Sequence, residues 1–218
     1  MKTVAFISQN GGVGKTTLAT ALAVAAHLDG NSAAVIDLDP QASASFWKDA
    51  RMADEPAVTA VPPTRLGAVL DAAGKTGCDL AVIDAPPLAK DAAFEAARHA
   101  DFILIPTRPA VLDVMAISRT LELVEHYRKP SAVVLSCCPV RGREVEDTEA
   151  AVRQLGAMVA PVRIHNRIAF SRAQQSGMTA QEFAPGSWAA TEIIQLYQYV
   201  CEIINQYTDI QSNRKQVP

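Results

Sequence analysis

Short apolar runs alternate along this chain with longer stretches of helical period. Strands are predicted at Thr3–Ser8, Ala33–Asp37, Val58–Val61, Leu80–Asp84, Phe102–Pro106 and Ala132–Ser136. These runs are rich in Val, Ile, Leu and Ala and show little polar alternation, as strands buried on both faces of a parallel sheet do. Helices are predicted between them at Thr16–Leu28, Thr64–Gly74, Ala89–Arg98, Val111–Tyr127 and Glu146–Leu155. Such strand-helix-strand alternation calls for right-handed crossovers, and so for a doubly wound α/β fold with a mostly parallel sheet. A late run, Trp188–Tyr207, carries apolar residues at 193, 194, 196, 197, 200, 203 and 204, one face of an amphipathic helix. No repeat, linker or low-complexity block interrupts the pattern. Residues 1–210 therefore read as one domain and the polar 211–218 as a flexible tail.

Composition narrows the class. At 218 residues with 49% hydrophobic and 20% charged side chains, the chain can bury a real core and is not disordered. Lys and Arg number 20 against 23 Asp and Glu, a net charge of −3, so no global basic charge points to nucleic acid. Four Cys without a CxxC pair make no disulfide framework, which suits reduced thiols and a cytoplasmic setting. No apolar run is long enough for a membrane span or a signal-peptide core.

The chemistry concentrates in Gln9-Asn10-Gly11-Gly12-Val13-Gly14-Lys15-Thr16-Thr17, which follows a strand and opens a helix. Glycines there let the backbone turn sharply, so that successive N–H groups face an anion. Lys15 can reach the outer phosphates of a nucleotide, and the Thr16 hydroxyl can ligate Mg²⁺. The helix dipole adds to both. Asp84 ends a buried strand where a Mg²⁺-directed carboxylate would sit. Asp37 ends a neighbouring strand and can share that metal shell, and Asp39 faces the same side two residues on. The bland alternative for these three is a turn former or helix cap.

The usual phosphate loop would place Gly at position 9, where this chain has Gln9. The glycines at 11 and 12 instead resemble the deviant Walker A motif of the ParA/MinD family of ATPases. Four further segments follow in the family's order. They are Asp37-Leu38-Asp39-Pro40-Gln41, Val82-Ile83-Asp84-Ala85-Pro86-Pro87, Ile105-Pro106-Thr107-Arg108-Pro109 with Leu112-Asp113, and the stretch from Arg167 through Gly177 to Pro185. The compact length resembles the small plasmid-partition subgroup. The resemblance implies an ATPase using ATP and Mg²⁺, with Lys15, Asp39 and Asp84 as catalytic residues and Asp39 orienting the attacking water. Residues 10–17 would bind nucleotide, and Thr16, Asp37 and Asp84 would hold the metal. Base contacts would come from Ser136-Cys137-Cys138 and Arg163-Ile164-His165.

The resemblance also implies an ATP-dependent sandwich homodimer that binds DNA non-specifically and associates with the nucleoid. Arg163, Arg167 and Arg172 would lie on the DNA-binding face, unless they form an ordinary solvated one. A ParB-like centromere-binding adaptor would stimulate hydrolysis, and the cargo would be a plasmid or chromosome. An alternative cargo is a protein assembly such as a carboxysome.

One departure stands out: the family's signature lysine would fall at position 10, where this chain has Asn10. Three readings remain open, namely a cation supplied elsewhere, a nucleotide-gated module that hydrolyses poorly, and an introduced change. A MinD-like membrane switch would need a basic amphipathic C-terminal helix, and 211–218 has no apolar face. An iron-protein-like cluster would need cysteines in loops where this chain lacks them.

Overall fold

The structure, a computed structural model, describes residues 1–87 and 89–214. Among these residues six strands form one sheet: β1 (Lys2–Phe6), β2 (Ala33–Asp37), β3 (Ala57–Ala60), β4 (Leu80–Asp84), β5 (Phe102–Thr107) and β6 (Ser131–Leu135). The order across the sheet is β3-β2-β4-β1-β5-β6, and every pairing is parallel. The crossovers carry α1 (Lys15–Leu28), α2 (Ser43–Asp49), α3 (Leu66–Lys75), α4 (Lys90–His99) and α5 (Val111–His126). After β6 come α6 (Glu144–Gln154), α7 (Ile168–Gln175), α8 (Ala180–Phe183) and α9 (Trp188–Arg214).

The sheet has a core on each face because successive side chains of a strand point opposite ways. Val4 and Phe6 of β1 join Val82, Phe102 and Leu104 against α1 and α9, where Leu22, Ile193 and Leu196 meet them. Ala5 joins Ile36, Ile83 and Ile103 on the other face, under Leu66, Leu70 and Ile117 of α3 and α5. Helix α1 is Ala-rich and buried on nearly all sides, since α9 covers the side that a surface helix would show to water. That burial fixes the helix whose first turn carries the Lys15 motif.

All six predicted strands exist, with ends displaced by no more than two residues. The short helices α2, α7 and α8 are absent from the hydrophobic pattern, because four to eight residues do not establish a period. Helix α9 runs beyond the predicted Tyr207 to Arg214, so its backbone includes residues 211–214 of the expected tail. Residues 215–218 lie outside the described part.

The segment after α7 closes tightly on α2. Gly177 has φ of +61°, and a Cβ there would lie 2.3 Å from the Arg51 backbone nitrogen. Arg51 in turn donates through Nη1 to the Gly177 carbonyl (3.0 Å) and pairs with Glu182 at 2.6 Å. Trp47 is packed here and donates Nε1 to the Met178 carbonyl at 3.0 Å. Gly177→Ala combines left-handed strain with overpacking and should destabilise the fold by about 2–4 kcal/mol. Gly186→Ala, where a Cβ meets open space, should change the urea midpoint far less. Equal midpoints for the two variants would contradict this packing.

Candidate functional site

Everything the phosphate-loop reading requires lies at the carboxyl ends of β1, β2 and β4, beside the point where strand order reverses. Ligands of open α/β sheets bind in that crevice. Gly12 and Gly14 have φ of +70° and +83°, and this left-handed turning brings the loop back over the start of α1. Gly14 caps α1 without any side-chain cap, and the first turn of the helix holds no acidic residue. Among the described residues, no backbone N–H from Gly11 to Thr17 donates to another protein group. Such a row of unpartnered donors at a helix N-terminus is an anion site.

Lys15 is buried with its Nζ resting on the Asn10 carbonyl at 2.9 Å. Burial lowers its pKa, and the Asp84 and Asp39 charges oppose that shift. Thr16 Oγ1 donates to Asp84 Oδ2 at 2.6 Å. Burial pushes the Asp84 carboxyl up to about 7, against the Thr16 hydrogen bond and with the Asp37 charge adding to the rise. A buried, poorly compensated carboxylate beside a Thr hydroxyl and a Lys is a set of groups that fits a hard divalent cation and phosphate. Among the described residues no three His, Cys, Asp or Glu side chains cluster as metal ligands. Mg²⁺ held here would take Thr16 and Asp84 from the protein, with phosphate and water completing its shell.

Asp37 stands level with Asp84 in the sheet register but is used differently. Its two oxygens accept the backbone N–H groups of Asp39 and Ala44, both at 2.9 Å, which ties the β2 end to the start of α2. Asp39 is half-buried and accepts the Gln41 N–H through one oxygen at 2.9 Å. It lines a 540 Å³ cavity together with Gly11, Gly12, Gly14, Lys15, Thr16, Thr17 and Trp47. A larger cavity of 650 Å³ lies between α4 and α5, but the phosphate donors face the smaller one.

A second cavity of 260 Å³ adjoins the loop from the β6 side. Ser136, Cys137, Ile164 and His165 line it, bringing together the two segments predicted to contact a base. They are joined by Cys138 N–H to the Ile164 carbonyl (3.0 Å) and Asn166 N–H to the Cys138 carbonyl (2.8 Å). Cys138 and Arg163 stand outside the lining. Buried Glu192 of α9 holds this wall by accepting from His165 N (3.0 Å) and from Arg167 Nε (2.9 Å) and Nη2 (2.7 Å). Gln174 of α7 donates to Thr17 Oγ1 at 2.6 Å and lines both cavities. Neither Glu192 nor Gln174 was foreseen from sequence, since both act across long separations from elements with weak patterns. The three arginines do not form one free patch: Arg163 pairs with Glu146 and Glu149, Arg167 pairs with Glu192, and Arg172 is exposed.

The CobQ/CobB/MinD/ParA nucleotide-binding domain model matches residues 4–180. The chain belongs to that family. Membership implies Walker-A ATPase activity with ATP and Mg²⁺. The maintenance of carboxysome distribution protein A of Halothiobacillus neapolitanus is 28% identical over 212 residues, covering 91% of this chain and 95% of that protein. The protein of the same name from Gloeobacter kilaueensis is 37% identical over 125 residues, 56% of each chain. The septum site-determining protein MinD of Pyrococcus horikoshii, solved with Mg-ADP, shares the fold with a TM-score of 0.77 at 20% identity, over 91% of this chain and 95% of that one.

These relatives correct the expected branch. The relatives named above are carboxysome-distribution proteins, which overturns the expected plasmid-partition subgroup with its ParB-like adaptor and its plasmid or chromosome cargo. Compact length had suggested partition, yet the Halothiobacillus relative is matched over 95% of its own length. Compactness therefore does not separate the branches. Among the described residues no helix is long and apolar enough to cross a membrane.

The raised Asp84 value has a consequence for the nucleotide-free protein. Folded Asp84 keeps a proton that the unfolded chain has released above about pH 4. Stability contributed by that residue therefore falls as pH rises from about 4 to about 7. Asp84→Asn removes this loss, so its stability advantage over the parent should grow by about 2–3 kcal/mol between pH 5 and pH 8. Urea titrations at the two pH values measure it, and a constant difference would contradict the assignment.

Proposed function

We propose that this chain is a Mg²⁺-dependent ATPase that distributes a large protein cargo of the carboxysome type. The observation that carries the ATPase half is the unpartnered row of N–H groups from Gly11 to Thr17, with Lys15 and the Thr16–Asp84 pair beside it. The relatives of that name, one of them matched nearly end to end, support the cargo half.

The loop N–H groups and Lys15 bind and orient the phosphates. Bound Mg²⁺ supplies charge neutralisation on the phosphate oxygens. Thr16 and Asp84 would hold that ion, and Asp39 lines the 540 Å³ cavity beside the loop. The Asp39 oxygen not engaged with Gln41 is available to orient water and to accept its proton. The 260 Å³ cavity beside Val13 and Gly14 receives the base between Ile164 and the P-loop side of α1. Within this division of labour Asp37 organises the loop that presents Asp39.

Asp39→Ala should leave ATP–Mg²⁺ affinity within about threefold of the parent while phosphate release falls by about a hundredfold or more. Lys15→Ala should lose binding itself. Release of phosphate by Asp39→Ala at the parental rate would remove Asp39 from the mechanism. In cells, Asp84→Asn in place of the parent chain should collapse evenly spaced foci of a labelled shell protein into clusters. Unchanged spacing would contradict the cargo assignment.

A further inference from the structure

The mouth of the phosphate loop carries an arrangement built around buried Asp113, at the start of α5. Asn10 Nδ2 donates to Asp113 Oδ1 at 2.7 Å. Arg108 grips the same carboxylate twice, Nε to Oδ2 at 2.6 Å and Nη2 to Oδ1 at 3.2 Å. Asp113 is 6% exposed and lies behind, whereas Arg108 is 43% exposed and lies in front. Arg108 Nη1 has no partner among the described residues and lies 3.9 Å from where a Cβ on Gly12 would be. The guanidinium is thus held rigidly by two bonds, with its third nitrogen directed to the loop whose N–H groups await an anion.

We infer that Arg108, positioned by Asp113, is a phosphate-binding cation of this site and substitutes for the charge missing at Asn10. The inference rests on the ATPase reading above. Its chemistry follows from the geometry. A guanidinium fork matches two acceptors at once and stays charged when desolvated, so one edge can serve Asp113 while the remaining nitrogen serves phosphate. Asn10 helps only indirectly, by adding a donor to the carboxylate that holds Arg108. Asp113 is accordingly a positioning residue. A neutral asparagine at position 10 leaves room for this arrangement. A lysine there would compete with Arg108 for Asp113 and place two like charges together.

An added cation at the loop favours ATP over ADP, because ATP carries the larger phosphate charge. Equilibrium binding of fluorescent ATP and ADP analogues with Mg²⁺ measures that preference without turnover. Arg108→Gln should weaken ATP binding at least tenfold and ADP binding less than threefold, with the thermal midpoint close to the parent's. Asn10→Lys added to Arg108→Gln should restore most of the loss, because Asp113 can then hold the lysine. Asn10→Lys alone should give no gain. Arg108→Gln that keeps the parental ATP-to-ADP ratio, while Lys15→Ala abolishes binding, would overturn the role of Arg108 and leave the ATPase reading intact. Absence of ATP binding by the parent chain would overturn both.

Discussion

The structure depends on an electrostatic demand at one end of a buried helix. Helix α1 begins in a glycine turn whose consecutive N–H groups have no protein acceptor among the described residues. A helix end of this kind takes an anion or water to satisfy its N–H groups, and here it opens on the 540 Å³ cavity. The fold tolerates it because α1 is clasped between the sheet and α9, so packing elsewhere holds the helix in place. In the proposed function a ligand that supplies phosphate oxygens completes what the chain leaves open.

The carboxylates differ in the groups that hold them. Asp37 gives both oxygens to backbone N–H groups and fixes the β2–α2 connection. Asp113 fixes Arg108. Asp84 is buried against Thr16, and burial outweighs that hydrogen bond and the Lys15 charge, so its carboxyl suits a cation. Asp39 lines the cavity and, among the described residues, engages one oxygen with the Gln41 N–H. Identical side chains thus acquire separate roles from the hydrogen bonds around them.

Much of this was legible in the residues. The doubly wound sheet could be read because buried parallel strands leave continuous apolar runs. That Lys15, Thr16, Asp39 and Asp84 come to one crevice could be read from glycine spacing and strand ends. Glu192, Gln174 and the Asp113–Arg108 grip were not, because their contacts join residues between 5 and 157 positions apart with no periodic signature. The wall arginines could be seen as charges, but their partners Glu146, Glu149 and Glu192 could not be assigned from spacing. The branch of the family was misjudged for a different reason. The loop and its carboxylates serve nucleotide chemistry common to all branches, and so say little about cargo.

The most direct test of the central claim is the backbone amide spectrum of the nitrogen-15-labelled chain during titration with ATP and Mg²⁺. The account predicts that the amides of Gly11 to Thr17 shift most and gain protection from hydrogen exchange, with the Lys15→Ala chain showing neither effect. Saturable binding that leaves these amides unmoved would contradict it.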